Sequence, residues 1–286
     1  MYDATAPGKN CIQFGREVSA SPEEATSFSE DCLYLSLYKP IVGIARADNS
    51  SQHNASTTTK LDTMVWIYGG AFEMGGIFGQ PTTSYDGRYI ATMGEVIVVA
   101  LNYRVGPLGF MSLPSGLVPP NLGLHDQLLG LQWVQENIAA FGGNPQRVTI
   151  FGESAGSMSV ASLMLSPLAR GQFRRAIAQS GAPSVEAITE SVARSHAKTA
   201  VFARKLNCST AESQNSSSTK GDEEKALLKC LLGSSLDQLQ RATRGDLSRN
   251  EHFIPVYGDE LLPLRPAVAL KSGNFNHVDF LYGKLI

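Results

Sequence analysis

Long apolar runs are missing from this chain of 286 residues, and so is any large excess of charge of one sign. No stretch approaches the roughly 20 apolar residues that a membrane-spanning helix needs, which excludes a transmembrane segment. Charged residues make up 17% of the chain and the formal net charge is −2. Such a balance supplies neither the basic surface that nucleic acid requires nor the one that an anionic membrane attracts. Tryptophan is scarce, with only Trp66 and Trp133. The start, residues 1–7, lacks both the basic beginning and the apolar core of a secretory signal. There is no internal repeat, and the low-complexity stretches are short. No cofactor and no metal are expected. What remains is 43% hydrophobic residues, ordinary for a globular α/β core of this size.

Against that background, residues 141–156 stand out. They end in Gly152-Glu153-Ser154-Ala155-Gly156, a Gly-x-Ser-x-Gly pentapeptide. Residues 147–151 form a short β-branched and aromatic run that reads as a buried strand, and 155–165 follow as a helix pattern of small and apolar residues. Ser154 then lies on the turn between strand and helix, its hydroxyl projecting from the carboxyl end of the sheet. Gly152 and Gly156 leave room for so sharp a bend, because a Cβ at either place would collide with it. A helix starting behind the serine turns unpaired N–H groups and a positive dipole end toward developing negative charge. Ser154 is therefore a candidate nucleophile and the N–H of Ala155 a candidate oxyanion donor.

Strand, helix, strand, serine and helix also follow one another in order. Residues 33–38 alternate as a half-buried strand, whereas 63–68 and 96–101 read as strands covered on both faces. Helical spacing of Leu124, Leu128, Leu131, Gln135 and Ile138 predicts a crossover helix over 123–140. Further strands are expected at 175–179 and 278–282. Hydrophilic residues 48–60 and serine-rich 209–220 read as connectors.

Residues 141–156, with Phe141-Gly142-Gly143 followed by Val148, Ile150 and the pentapeptide, resemble the active-serine signature of the type B carboxylesterase and cholinesterase family. Residues 30–40, around Asp31-Cys32-Leu33-Tyr34-Leu35, are similar to that family's second signature. The likeness continues through Trp66-Ile67-Tyr68-Gly69-Gly70, Asn102-Tyr103-Arg104, Gln179-Ser180-Gly181 and Ser272-Gly273-Asn274-Phe275. It implies an α/β-hydrolase fold, a serine ester hydrolase acting on a small carboxylic ester through an acyl-enzyme, and an oxyanion hole in which Gly70 and Ala71 join Ala155. Relatives usually carry glycine where Ala71 stands, and alanine tolerates fewer backbone angles.

The family's catalytic domain is nearly twice as long, so the resemblance makes residues 1–286 one incomplete domain, short at both ends. Its triad acid comes a few residues after the strand matching Phe280-Leu281-Tyr282-Gly283, and its histidine much later, so both are expected outside this chain. Of the histidines after Ser154, namely His196, His252 and His277, none stands in a context like the family's catalytic loop. His53 and His125 precede the serine. An incomplete sheet is expected to leave an unpaired edge, with marginal stability and oligomerisation through that edge.

Four cysteines allow three pairings, and four free buried thiols are a further reading. Cys11 and Cys32 bracket a segment similar to a disulfide-closed loop of the family, and Cys208 and Cys230 bracket a second. Asn-x-Ser/Thr sequons at Asn49, Asn54, Asn207 and Asn215 lie in polar stretches. Cysteines and sequons together point to a secreted or extracellular product whose signal peptide is not in this chain.

Cholinesterases hold a quaternary ammonium against a tryptophan inside the loop that closes at the position of Cys32. Here that segment has no tryptophan, and Pro22 stands near the place. Glu73, Arg249 and Glu251 occupy positions that are aromatic in the cholinesterase gorge. A general carboxylesterase is therefore expected. A catalytically inactive binding or adhesion protein on the same fold, or an acetylcholinesterase-like fragment, is the alternative. Glu153, beside the serine, is either a bias toward cationic or neutral substrates or a solvated turn carboxylate.

Overall fold

A computed structural model describes residues 4–14, 27–41, 60–78, 85–181, 189–208, 219–243 and 252–284. In chain order the strands are β1 (Asn10–Cys11), β2 (Phe28–Ser29), β3 (Leu35–Tyr38), β4 (Leu61–Ile67), β5 (Ile97–Leu101), β6 (Gly143–Glu153), β7 (Arg175–Gln179), β8 (Glu190–Ser191), β9 (Val256–Tyr257) and β10 (Asp279–Gly283). The helices are α1 (Arg88–Gly94), α2 (Gly106–Phe110), α3 (Leu122–Asn137), α4 (Ala155–Leu165), α5 (Val192–Lys205), α6 (Lys220–Leu232), α7 (Leu236–Thr243) and α8 (Pro266–Lys271).

Six strands form the central sheet in the order β10-β7-β6-β4-β5-β3. Only the β3–β5 pair is antiparallel; the other pairs run parallel. β5, Ile-Val-Val-Ala-Leu, is buried along its whole length, as a β-branched run between two layers should be. β4 departs from the expectation of covering on both faces. Val65 and Ile67 are fully buried, while Met64 and Trp66 are only half-buried. The Trp66 ring instead leans on Tyr85 and Phe151, with centroids 5.0 and 4.9 Å away.

The crossover helix α3 ends at Asn137, and a 3-10 turn, Ile138–Phe141, replaces the last α-helical turn expected from spacing. Gly142, with φ 88°, then swings the chain into β6. Hydrogen bonding rather than periodicity fixes the other end of α3. Asn121 holds φ 62° and is fully buried. Its side-chain amide donates to Val256 O at 2.7 Å and accepts from the Val256 N–H at 2.7 Å.

Two short parallel pairs, β1–β2 and β8–β9, lie apart from the main sheet. Both disulfides that the resemblance implied are formed, Cys11–Cys32 and Cys208–Cys230. Among the described residues no cysteine is free and no helix is long and apolar enough to cross a membrane. β10 closes one side of the sheet as an exposed edge. Pro22, Arg249, Glu251, Asn49, Asn54 and Asn215 fall outside the described residues, as does most of both predicted connectors.

Candidate active site

β6 delivers Ser154 at its carboxyl end, and α4 begins at the next residue. The serine has φ 52° and ψ −121°, a region that an L-residue occupies at a cost of order 1–3 kcal/mol and that clusters at functional sites. Its N–H donates to Gln179 O at 2.9 Å and its carbonyl accepts from the Met158 N–H at 3.0 Å. The backbone is thus pinned between β7 and α4 while the side chain makes no capping bond to the helix. Every residue of α4 except Met158 is buried, so the helix behind the serine is fixed by packing on all sides.

The elbow glycines are required for steric reasons. A Cβ on Gly156 would sit 2.1 Å from Ile67 O, and one on Gly152 would sit 2.6 Å from the Gly156 carbonyl carbon. Both obstacles are backbone, which cannot step aside. Gly181 is confined in the same way by the Ser154 carbonyl oxygen, 2.8 Å away, and by Ser157. The Ser157 hydroxyl donates to Gly181 O at 2.6 Å and ties the helix to the loop after β7.

The glycine-rich loop after β4 passes directly beside the serine. A Cβ on Gly69 would meet the Glu153 carbonyl oxygen at 2.6 Å and Ser154 Cβ at 3.3 Å. Gly70, Ala71 and Phe72 then have φ values of 122°, 57° and 63°. For Ala71 and Phe72 the left-handed region costs roughly 1–2 kcal/mol each, so the alanine is accommodated rather than excluded. Both the Glu73 and Met74 N–H groups donate to Gly70 O, at 3.0 Å each, and close the turn. Among the described residues, neither the Gly70 nor the Ala71 N–H donates to a backbone acceptor. Ala155, first residue of α4, has the orphan N–H of any helix start.

Several further residues hold this loop, and of these Gln13 and Asn10 had no motif to announce them. Gln13 grips Gly75 from both sides, its Oε1 accepting from Gly75 N–H and its Nε2 donating to Gly75 O, each at 2.5 Å. Asn10 Oδ1 accepts from the N–H groups of Ile77 and Phe78, both at 3.1 Å. The Asn102 side chain accepts from Ile77 N–H at 3.2 Å and donates to Lys9 O and Cys32 O, each at 3.0 Å. The Cys11–Cys32 disulfide sits inside this bracket. Tyr68 and Tyr103, at the ends of neighbouring strands β4 and β5, stack at 4.2 Å and donate to each other's carbonyl oxygens at 2.6 and 2.8 Å. Burial pushes both phenols above their ordinary range, so they act as neutral donors. A tyrosine directly after β4 and another two residues after β5 were the available signal.

Of the other candidates, Glu153 is exposed beside the serine, and its Oε2 would lie 3.3 Å from a Cβ on Gly69. Burial, and secondarily the Glu153 charge, raises the Tyr85 phenol. Asn207 is exposed at the end of α5. His196 is half-buried on α5, where burial lowers its pKa. His277 is exposed just before β10. His252, by contrast, is joined through Nδ1 to Glu73 Oε1, beside the glycine-rich loop. No spacing could reveal that, because 179 positions separate the two. Among the described residues no group of histidine, cysteine and carboxylate side chains is arranged to hold a metal.

A serine at a strand-to-helix elbow on a mostly parallel sheet, with a glycine-rich loop beside it, defines the α/β-hydrolase fold. The chain belongs to the Carboxylesterase family, whose sequence profile matches residues 1–284. It is 39% identical to the para-nitrobenzyl esterase of Bacillus subtilis over 99% of this chain and 52% of that protein. It is 39% identical to the acetylcholinesterase of Danio rerio over 89% of this chain and 37% of that protein. It is 40% identical to the bile salt-activated lipase of Rattus norvegicus over 98% of this chain and 42% of that protein. The chain thus spans about half the length of the bacterial relative, and less of the two animal ones.

Proposed function

We propose that this chain is the nucleophile-bearing portion of a secreted carboxylesterase, with residues 1–286 forming part of a single catalytic domain. Ser154 attacks the carbonyl carbon of a small carboxylic ester. The tetrahedral oxyanion is stabilised by the N–H groups of Gly70, Ala71 and Ala155, and the alcohol leaves to give an acyl-enzyme. The observation that carries this reading is the strained elbow of Ser154, held by backbone that admits only glycine at 152 and 156. A costly conformation persists where the surroundings over-determine it, and here they do.

The acid and histidine that would complete a triad are assigned outside residues 1–286. Two disulfides, with the sequons at Asn49, Asn54, Asn207 and Asn215, support an extracellular glycoprotein. A general ester substrate is favoured over choline esters. The segment between Cys11 and Cys32 has no tryptophan, and Glu73, joined to His252, provides no aromatic face for a quaternary ammonium.

The test is covalent labelling with a fluorescent alkyl phosphonate, together with turnover of a short-chain aryl ester, in the folded protein extended to include the triad acid and histidine. Labelling that disappears in Ser154→Ala is the expected result there, whereas residues 1–286 alone should turn over little ester. Absence of labelling from the folded extended protein would overturn the reading in favour of a non-catalytic binding protein.

A further inference from the structure

Glu73 lies two residues beyond Ala71 and is buried at the heart of the glycine-rich turn. Its N–H closes the turn on Gly70 O at 3.0 Å, and its carbonyl accepts from the Phe14 N–H at 2.7 Å. Its carboxylate reaches across to His252 Nδ1. The histidine is itself held from behind. Its carbonyl accepts from Lys198 Nζ, and that ammonium sits 2.6 Å from Glu190 Oε2 with both side chains buried. The next residue, Phe253, packs edge-on against Phe202 of α5, with centroids 5.5 Å apart. A continuous rail therefore runs from α5 through His252 to Glu73, and ends on the turn that carries two left-handed non-glycine residues.

We propose that Glu73 and His252 are positioning residues for the oxyanion loop, the imidazole anchoring the carboxylate so that Gly70 and Ala71 keep their N–H groups presented to the reacting centre. The inference rests on the esterase reading above. Left-handed Ala71 favours relaxation into ordinary backbone angles, and the accompanying rotation of the Gly70–Ala71 peptide would turn the Ala71 N–H away. That peptide is held through its other end, Gly70 O, which accepts from the Glu73 and Met74 N–H groups. An anchored Glu73 side chain fixes the residue that supplies one of these two bonds. The contact uses Nδ1 alone, so a side chain with an amide nitrogen at that place can substitute for the imidazole.

The experiment is the concentration dependence of Ser154 phosphonylation in the protein extended to include the triad acid and histidine, which separates the saturating rate constant from the half-saturating concentration. His252→Ala and Glu73→Ala are compared with wild type, and His252→Asn places its amide nitrogen near the position of Nδ1. Loss of a well-placed oxyanion donor costs 100-fold or more in rate, and a loosened one less, so a fall of about 10- to 100-fold is expected in the saturating rate constant of both alanine variants. The half-saturating concentration should stay within about threefold, and His252→Asn should recover most of the rate. A role in stability alone would shift the thermal midpoint without dividing the kinetic constants in this way. Unchanged saturating rates in folded His252→Ala, or equal losses in the asparagine and alanine variants, would overturn the proposal and leave the esterase reading intact. A folded wild type that takes no phosphonate would overturn both.

Discussion

At Gly156 a single methyl group decides whether the elbow exists. Its Cβ would lie 2.1 Å from Ile67 O, a clash with the backbone of a central strand. Gly156→Ala should therefore lose about 3 kcal/mol or more of stability, at the upper end of ordinary point-mutant effects. Gly171 provides the contrast, because at φ 80° it has nothing within 4 Å of a built Cβ. Gly171→Ala should cost only about 1 kcal/mol, from backbone conformation alone. Denaturant midpoints of the two variants check the difference, and equal losses would mean that the elbow has more slack than its geometry shows. Ser154 and its glycines were legible in the sequence because a tight turn writes its steric demands locally, within five residues. Gln13, Asn10 and His252 were not, since each meets the site across a long stretch of chain and no local pattern records such a meeting.

Between elements, the most consequential polar contact is Glu190 on β8 with Lys198 on α5, whose side chains are 2% and 5% exposed. Burial raises the Glu190 carboxyl above the ordinary carboxylate range and lowers the Lys198 ammonium below the ordinary lysine range, each against the pull of its partner. The contribution of Glu190 to stability is therefore fully present below the ordinary glutamate pKa and is lost as pH rises through its raised value. That of Lys198 is present above the ordinary lysine pKa and lost as pH falls through its lowered value. Near neutrality neither charge stabilises the fold by itself, and the pair persists because removing one partner is worse. Lys198→Met should cost about 3 kcal/mol at pH 8. Part of that loss should be regained toward pH 5 as the buried carboxyl, left with the more distant Arg194 guanidinium at 3.7 Å, takes up a proton. The double variant Glu190→Gln with Lys198→Met should recover most of it at pH 8. Thermal midpoints at the two pH values test this, and a Lys198→Met loss that does not vary with pH would contradict it. The long elements were legible as such: β5, β7 and α4 appear close to where their apolar patterns placed them. The two-residue strands β1, β2, β8 and β9 were not, because a pair of residues has no period and is strand only by virtue of its neighbour.

For the molecule as a whole, the sheet has one edge with little to guard it. On β10, Phe280, Leu281 and Tyr282 are 42%, 62% and 47% exposed. The Asp279 N–H donates to Arg174 O and Gly283 O accepts from the Ser180 N–H. Residues 279 and 283 thus face β7, which leaves the peptide groups of Phe280 and Tyr282 directed outward. An apolar strand with an open hydrogen-bonding side invites a second strand. The chain is expected to associate in a concentration-dependent way by sedimentation velocity, and Phe280→Lys to shift it toward monomer. A monomer at all concentrations would show that the edge is covered by other means. The succession of strands and helices along the chain was legible, whereas the order of strands in the sheet, and with it the identity of the exposed edge, is a property of tertiary assembly. The Cys11–Cys32 bond carries a last consequence. Asn10 and Gln13, which grip residues 75–78, hang from the segment that this bond ties down. The grip on the loop beside Ser154 thus depends on that disulfide, and so on the thiol chemistry of the compartment in which the chain matures.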